Sequence, residues 1–382
     1  MTSAQGQRLF ISRQDLRRTE VQADPDAPSQ RSLLAGQARL LVDKFALTAN
    51  NITYAAFGES MKYWDFFPAA EAGWGCLPVW GFATVTESQA EGFELGQRVY
   101  GYLPAGSHLV VEPGKLSARG FTDLSRHRQH LALIYNQYSF CAADPGWSPD
   151  NEGLQAVLKP LFMTAFLIDD MLAEHHFFGA RQLVISSASS KTAYATAFFL
   201  AQRRGPDQPR RVGLTSAANL EFTQGLGCYD EILLYEQMTA LEPESSTVYI
   251  DFAGSAPLRR QIHSHFGDRL KYSSSIGGTH WDSIGSGRDL PGPKPTLFFA
   301  PAQAAKRSEP PPAGWGRSGL QERLGMGWGA FLERAQRADA SWIKVVERQG
   351  AQALQSAYLS LLEGRADARQ GLMLSLAAAV AD

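Results

Sequence analysis

Cysteine is scarce in this sequence, and the few cysteines lie far apart. The 382 residues include only Cys76, Cys141 and Cys228. A disulfide framework needs more cysteines than this, and a four-cysteine zinc site needs them in close pairs. Both kinds of site are therefore excluded.

A charge of one sign and long apolar runs are also lacking. The 36 basic residues nearly balance the 38 acidic ones, and this excludes the basic surface typical of nucleic-acid binding. No apolar run reaches the roughly 20 residues of a membrane helix, and the polar first residues lack the apolar core of a secretory signal. We therefore expect a cytoplasmic protein of about two domains. Its partner would be a small-molecule substrate, with no nucleic acid and no membrane.

Short strand-like runs fill the first part of the chain. ARLLVDKFALT, VWGFATVTES and QRVYGYLPAGSHLVVEP are apolar or alternating, and glycine, proline and serine interrupt them. This texture predicts an antiparallel, barrel-like β domain over residues 1–150. Residues 119–150 show little periodicity, and we expect a linker or an elaborated loop there.

Strands and helices alternate in the second part. QLVIS, RRVGLTS, EILLY, STVYIDFAG, DRLKYSSSIGG and PTLFFAP have the composition of strands, and helical segments separate several of them. Such alternation predicts βαβ units on a parallel sheet, and hence an α/β domain over residues 151–340. Residues 341–382 predict two further strands around one helix.

The turn after QLVIS has the context of a dinucleotide site. Such a site needs a tight turn, close approach of the backbone to a pyrophosphate, and a helix whose N-terminus faces the phosphates. Small residues replace the usual glycines, and the cofactor-binding candidates in this turn are Ser187, Ala188, Ser189, Ser190, Lys191 and Thr192. The serine and threonine hydroxyls can donate to phosphate or cap the helix.

Two alternatives remain for this turn. It can be the capped start of a helix in a domain that binds no ligand. SASSKT also resembles the end of the phosphate-binding loop of nucleotide triphosphatases, although both glycines of that motif are missing.

The end of the second strand bears on the choice of cofactor. NAD sites usually present a carboxylate to the ribose at this point, but this sequence has no acid before Glu221. The candidates there are Thr215, Ser216 and Asn219. Nearby positive charges are Lys191, Arg203, Arg204 and Arg211, each of which can equally be a solvated residue at a helix end. We therefore expect NADPH in preference to NADH.

Several segments, taken in order, resemble one family. ALTANNITYAAFGE, PVWGFATVTES with FELGQRVYGY, SHLVVEP, KPLFMTAFL, YIDFAGS and SLLEGRADARQGLMLSL are similar to segments of the medium-chain dehydrogenase/reductases. The similarity is greatest to the zinc-independent quinone oxidoreductase and enoyl reductase branch, and to a group with SASSKTA in place of the glycine turn.

The resemblance implies a domain organisation. Residues 1–150 would form a GroES-like β-barrel catalytic domain, and residues 151–340 a Rossmann-like, doubly wound NADP-binding domain. Residues 341–382 would return to the catalytic domain. Rossmann domains of this family often pair through their edge strands, which implies a homodimer.

The resemblance also shows where metal ligands would lie if this chain were a zinc-containing member of the family. Zinc members of the family carry a cysteine and a Gly-His-Glu motif, but the matching segments here, LTANNITY and VWGFATV, contain no ligand. Asp169, Asp170 and Glu174 lie near His175 on one predicted helix, and a polar helix face explains them. We expect no metal.

Residues for the chemistry follow from the matched segments. Hydride transfer to a carbonyl or enone places negative charge on an oxygen, which a donor must stabilise. The resemblance assigns that role to Tyr54, orientation of substrate or cofactor to Asn51, and a nicotinamide contact to Thr164. His280 is a candidate general acid, and Gly277 a candidate cofactor contact.

The predicted function is therefore an NADPH-dependent, zinc-free reductase of a carbonyl or activated C=C substrate. One alternative is a non-catalytic dinucleotide-binding sensor or partner-binding protein on the same fold. Another is an auxiliary enzyme that acts on a tethered acyl group.

Overall fold

The computed structural model describes residues 6–203, 205, 208–277, 289–337 and 341–376. The chain divides into two compact units. The first comprises Met1–Val157, Val345–Ala366 and Gln370–Asp382, and the second comprises Leu158–Lys344 and Asp367–Arg369.

The secondary-structure elements follow in chain order. The strands are β1 (Gln7–Ser12), β2 (Thr19–Ala23), β3 (Ala38–Leu47), β4 (Trp74–Cys76), β5 (Pro78–Ser88), β6 (Arg98–Pro104), β7 (His108–Val111), β8 (Pro113–Ser117), β9 (Gly120–Asp123), β10 (Gln137–Phe140), β11 (Gln182–Ile185), β12 (Arg210–Thr215), β13 (Glu231–Leu234), β14 (Thr247–Asp251), β15 (Leu270–Ser275), β16 (Thr296–Leu297), β17 (Lys344–Gln349) and β18 (Gln370–Ser375). The helices are α1 (Ala49–Ala56), α2 (Glu152–Glu174), α3 (Lys191–Gln202), α4 (Leu220–Gly225), α5 (Ala256–Phe266), α6 (Ala300–Ser308), α7 (Gly316–Ala335) and α8 (Ala351–Leu362).

The first unit is rich in β structure. Among its described residues, one sheet has the strand order β17-β18-β3-β5-β6-β10-β9-β8, with β7 beside β3, and a smaller sheet has the order β2-β1-β4. The long strands β3 and β5 pair antiparallel from Ala38 opposite Ser88 to Ala46 opposite Trp80. The antiparallel β structure predicted for this part of the chain is therefore confirmed.

The expectation of a loop throughout residues 119–150 is wrong. β9 and β10 lie in this segment and pair with each other, and β10 also pairs with β6. Each of these strands has only four residues, which is too few for an alternating pattern to stand out. Buried Arg128 fixes the connection between them through hydrogen bonds to Asp123, Tyr138 and Asn136.

The second unit contains a parallel sheet. Among its described residues the strand order is β13-β12-β11-β14-β15-β16, and every recorded pair is parallel. The chain runs outward from β11 to β13 and then returns to the other side of β11 at β14. This is the doubly wound order 3-2-1-4-5-6, and ligands of such sheets bind outside the carboxyl ends of the strands at the reversal.

The strands of this sheet lie in an apolar core. Every residue of β11 and β14 is buried, as expected for central parallel strands that helices cover on both faces. The sixth predicted strand, PTLFFAP, is reduced to the two exposed residues of β16. None of the helices in the described ranges is both long and apolar enough to cross a membrane.

Candidate functional site

The turn between β11 and α3 begins with a residue in a strained conformation. Ser187 has a φ of 48°, in the left-handed region that glycine adopts at little cost. Its N–H donates to Tyr235 Oη at 3.1 Å, and its carbonyl accepts from Ser190 N–H at 2.7 Å. Tyr235, which no sequence pattern indicated, therefore already occupies the Ser187 amide.

Ala188 N–H donates to the Leu214 carbonyl at 3.0 Å, but four other amides of the turn and of the start of α3 are free. The N–H groups of Ser189, Lys191, Thr192 and Ala193 have no hydrogen-bond acceptor within the described part of the chain. Ser190 is the N-cap of α3, but its side chain makes no capping bond. Unpaired N–H groups and the positive end of the helix dipole together form an anion-binding arrangement.

Close packing beneath the turn comes from a glycine on the neighbouring strand. A Cβ atom on Gly213 of β12 would lie 2.9 Å from the Ala188 Cβ and 3.0 Å from Tyr229 Cδ1. Tyr229 Oη also donates to the Ala188 carbonyl at 2.8 Å. Gly213 therefore allows the close contact between turn and strand that a glycine within the turn usually provides in dinucleotide sites.

Lys191 places a cation at the first position of α3. Its Nζ donates to the Ala368 carbonyl at 3.0 Å, and no carboxylate of the described residues forms an ion pair with it. Burial of the ammonium group lowers the pKa of Lys191 to about 8, although Asp367 opposes this shift. A buried cation at the positive end of a helix is unfavourable, and a bound anion would relieve that repulsion.

The second turn of the sheet, after β12, is free of carboxylates. Thr215 is buried and accepts from Thr223 Oγ1 at 3.4 Å, while Asn219 Nδ2 donates to Ser216 Oγ at 3.3 Å. The first acid after this strand, Glu221, is exposed. The environment therefore lacks the acidic group that usually binds the ribose hydroxyls of NAD.

Two of the arginines expected near this turn are engaged elsewhere. Arg203 forms a bidentate ion pair with Asp169, at 2.6 and 2.7 Å. Arg211 donates to both carboxylate oxygens of Asp230, once from its backbone N–H. Arg204 lies outside the described residues. Neither paired arginine is free to bind a phosphate.

Asp251, at the end of β14, organises the backbone beside the turn. It is fully buried, it pairs with Arg259 at 2.7 Å, and its Oδ1 accepts from Ser186 Oγ and from Gly254 N–H. Ser186 Oγ in turn accepts from two backbone N–H groups, of Phe252 and Ala253. The network fixes the loop that leaves β14 beside the loop that leaves β11.

Gly277, another expected cofactor contact, lies near this loop. The other two expected residues, Thr164 and His280, are not part of it. A Cβ on Gly277 would lie 2.8 Å from the Phe252 carbonyl oxygen, so the two backbones approach closely. Thr164 lies on α2 and donates to the Pro160 carbonyl within that helix at 3.2 Å. His280 lies outside the described residues.

In the first unit, Tyr54 belongs to an aromatic cluster. Its Oη accepts from Trp80 Nε1 at 3.2 Å, and its ring lies 4.6 Å from Tyr63 and 5.6 Å from Tyr102, between centroids. Burial raises the pKa of Tyr54 well above its usual value, so the phenol keeps its proton. Trp80 and the Asn50 side chain both form hydrogen bonds that lower the pKa of Tyr54, so both donate to its oxygen.

Asn51 has a structural contact for each end of its amide. Its Oδ1 accepts from Thr48 N–H at 2.7 Å, which closes a capping box at the start of α1, and its Nδ2 donates to the Pro78 carbonyl at 2.9 Å. This side chain therefore fixes α1, the helix that carries Tyr54, against β5.

Metal ligation finds no support in the described ranges. No group of three or more His, Cys, Asp or Glu residues is placed to hold an ion there. Asp169 and Asp170 are paired with Arg203 and Arg307, respectively.

A comparison with protein families finds a match over most of the chain. The family model described as "Protein of unknown function (DUF2855)" matches residues 45–367, which is most of the chain. The chain belongs to the DUF2855 family. Among curated proteins, no sequence matches it significantly.

Solved structures resemble this DUF2855 chain over almost its whole length. CurA from Vibrio vulnificus in complex with NADPH is 13% identical, with a TM-score of 0.58 and coverage of 97% of this chain and 99% of CurA. CurK enoyl reductase is 15% identical, with a TM-score of 0.52 and the same coverages. The quinone oxidoreductase from Coxiella burnetii is 12% identical, with a TM-score of 0.53 and again 97% and 99% coverage.

These similarities confirm the predicted fold. The DUF2855 chain has the medium-chain dehydrogenase/reductase fold, with a GroES-like domain and a Rossmann domain. The structure gathers the residues of the two Rossmann turns on one sheet, whereas Tyr54 and Asn51 lie in the other unit. Gly213 and Tyr235 were missed. The glycine in RRVGLTS was the available signal for Gly213, and no sequence pattern indicated Tyr235.

Proposed function

We propose that this DUF2855 chain is an NADPH-dependent, zinc-independent reductase of a small molecule with a carbonyl or an activated C=C bond. The β11–α3 turn carries the proposal. It combines four free amides at the positive end of a helix with a desolvated lysine that forms no ion pair within the described residues. Such a turn suits a pyrophosphate.

The residues present fit the cofactor. The amides of Ser189, Lys191 and Thr192 would hold the pyrophosphate, and the carboxylate-free turn at Ser216–Asn219 would accept the phosphorylated ribose. The Ser187 amide would not contribute, because Tyr235 occupies it. The solved structure of CurA contains NADPH, and CurK is an enoyl reductase, which supports this class of reaction.

Tyr54 is the proposed donor to the substrate. When bound, NADPH would supply the hydride, and negative charge would develop on the substrate oxygen. The Trp80 and Asn50 side chains donate to Tyr54 Oη, so its own hydrogen would be the one given to that oxygen. The raised pKa keeps the proton on the phenol at neutral pH. Asn51 would position Tyr54 through α1 rather than contact the substrate.

We also propose roles for the two units. The β-rich unit would be the catalytic domain, and the parallel-sheet unit would bind NADP. The protein would be cytoplasmic and homodimeric. Gel filtration with light scattering tests the homodimer: a single species of twice the 41.8-kDa chain mass is expected.

Cofactor binding is the decisive test. We expect NADPH to bind with micromolar affinity in a fluorescence titration, and NADH more weakly. The variant Ser190→Asp keeps a residue type favoured at helix N-caps, but it adds a negative charge beside the pyrophosphate. It should lose NADPH binding without losing thermal stability.

A matched control variant is Ser148→Asp, which adds the same charge at an N-cap in the other unit and should leave binding unchanged. If neither dinucleotide binds below millimolar concentration, the proposal is wrong. If NADPH binds, its oxidation in the presence of quinones, enones and aldehydes separates an enzyme from a sensor, because a sensor would oxidise none of them.

A further inference from the structure

Three residues near the end of the chain pack on the parallel-sheet unit. They form the segment Asp367–Arg369, which belongs to that unit although the residues before and after it belong to the other. The Ala368 carbonyl accepts from Lys191 Nζ at 3.0 Å, and the Arg369 carbonyl accepts from Lys344 N–H at 2.8 Å. The segment is therefore attached to the first residue of α3.

Arg369 in this segment lies over the first turn of α4. Its guanidinium carbon is 5.6 Å from the centroid of the Phe222 ring, within the range of a cation–π contact. Phe222 follows the carboxylate-free turn at Ser216–Asn219 by three residues. One three-residue segment thus contacts the starts of the helices that follow the first and second strands of the sheet.

The guanidinium has no charged partner. Arg369 is exposed, and within the described ranges its side chain forms no hydrogen bond or ion pair. The other arginines considered for this turn differ, since Arg203 and Arg211 are paired with Asp169 and Asp230. A guanidinium stacked on a ring keeps its N–H groups free for two parallel hydrogen bonds to a phosphate.

We infer that Arg369 recognises the 2′-phosphate of NADPH, so that a residue of the C-terminal segment determines cofactor specificity. This inference rests on the proposed function and adds a specificity-determining residue to it. An unpaired arginine beside a turn without carboxylates favours a phosphorylated ribose over a free one. The backbone of the same segment holds Lys191 at the pyrophosphate turn, and this places both cations along one dinucleotide.

The test measures binding rather than turnover. Dissociation constants for NADPH, NADH, 2′,5′-ADP and 5′-ADP are determined by calorimetry for the wild type, Arg369→Ala and Arg369→Lys. We expect Arg369→Ala to weaken NADPH and 2′,5′-ADP about 10- to 100-fold while NADH and 5′-ADP change less than about twofold. Arg369→Lys should recover part of the loss.

Arg365→Ala is the matched control, because Arg365 is also an exposed arginine near the C-terminal end, and it pairs with Glu363 instead. It should bind every ligand as the wild type does. If Arg369→Ala retains the preference for NADPH, the inference is wrong while the proposed function stands. If the wild type prefers NADH, the inference and the NADPH dependence of the proposed function are both wrong. If the wild type binds neither dinucleotide, both are wrong.

Discussion

At the residue scale, Lys191 carries a charge that burial makes unfavourable and that a bound anion would stabilise. Its folded pKa of about 8 lies below the ordinary value of 10.5, because the folded state disfavours the charged form. Below pH 8 this effect destabilises the folded state by its full amount. The destabilisation decreases above pH 8 and disappears as the pH rises towards 10.5. A bound pyrophosphate would reverse the effect and raise the pKa.

Proton uptake on binding follows from that shift. Between about pH 8 and pH 9, NADPH binding should take up protons at Lys191, and the affinity should fall as the pH rises above 8. Calorimetry in buffers with different ionisation heats measures the uptake. Lys191→Met should abolish it, and an uptake that persists in this variant would show that another group titrates.

Tyr54 gives a second prediction at this scale. Tyr54→Phe removes the hydroxyl but preserves the ring contacts with Tyr63 and Tyr102. We expect turnover with an enone or carbonyl substrate to fall about 10²- to 10³-fold, with unchanged NADPH affinity. Steady-state kinetics and the binding titration measure the two effects separately. Unchanged turnover would remove Tyr54 from the mechanism.

At the scale of elements, the β11–α3 turn depends on β12. A methyl group on Gly213 would meet the Ala188 Cβ, an atom that cannot rotate away. Gly213→Ala should therefore lower the free energy of unfolding by about 1–3 kcal/mol and weaken NADPH binding, because the turn must shift.

Chemical denaturation and the binding titration test this prediction. The control is Gly225→Ala at the end of α4, where an added Cβ meets nothing within 4 Å and should be neutral or slightly stabilising. Equal effects of the two substitutions would show that close packing at Gly213 is unimportant.

The elements also differ in how well the sequence predicts them. QLVI in β11 and TVYID in β14 are continuous apolar runs with turn residues around them, and the sequence located both. β9 and β10 are also paired strands in the structure, but the sequence did not predict them. Four-residue strands carry too few positions for a period of two, and their identity depends on pairing with each other and with β6.

At the scale of the whole molecule, the order 3-2-1-4-5-6 of the parallel sheet explains the location of the site. Both candidate turns follow strands on the same side of the reversal between β11 and β14, and their carboxyl ends lie at one edge of the sheet. Residues 367–369 join this unit late in the chain. The proposed site therefore combines segments that are distant in sequence.

The sequence by itself determined the alternation of strands and helices, the tight turn of small residues and the absence of an acid after β12. These features depend on residues within a few positions of one another, so local periodicity and turn chemistry record them. Only the tertiary structure decided that Tyr235 occupies the Ser187 amide, that Gly213 supports the turn and that Arg369 lies over Phe222. Such contacts join distant segments, and the packing of the sheet rather than any local pattern brings them together.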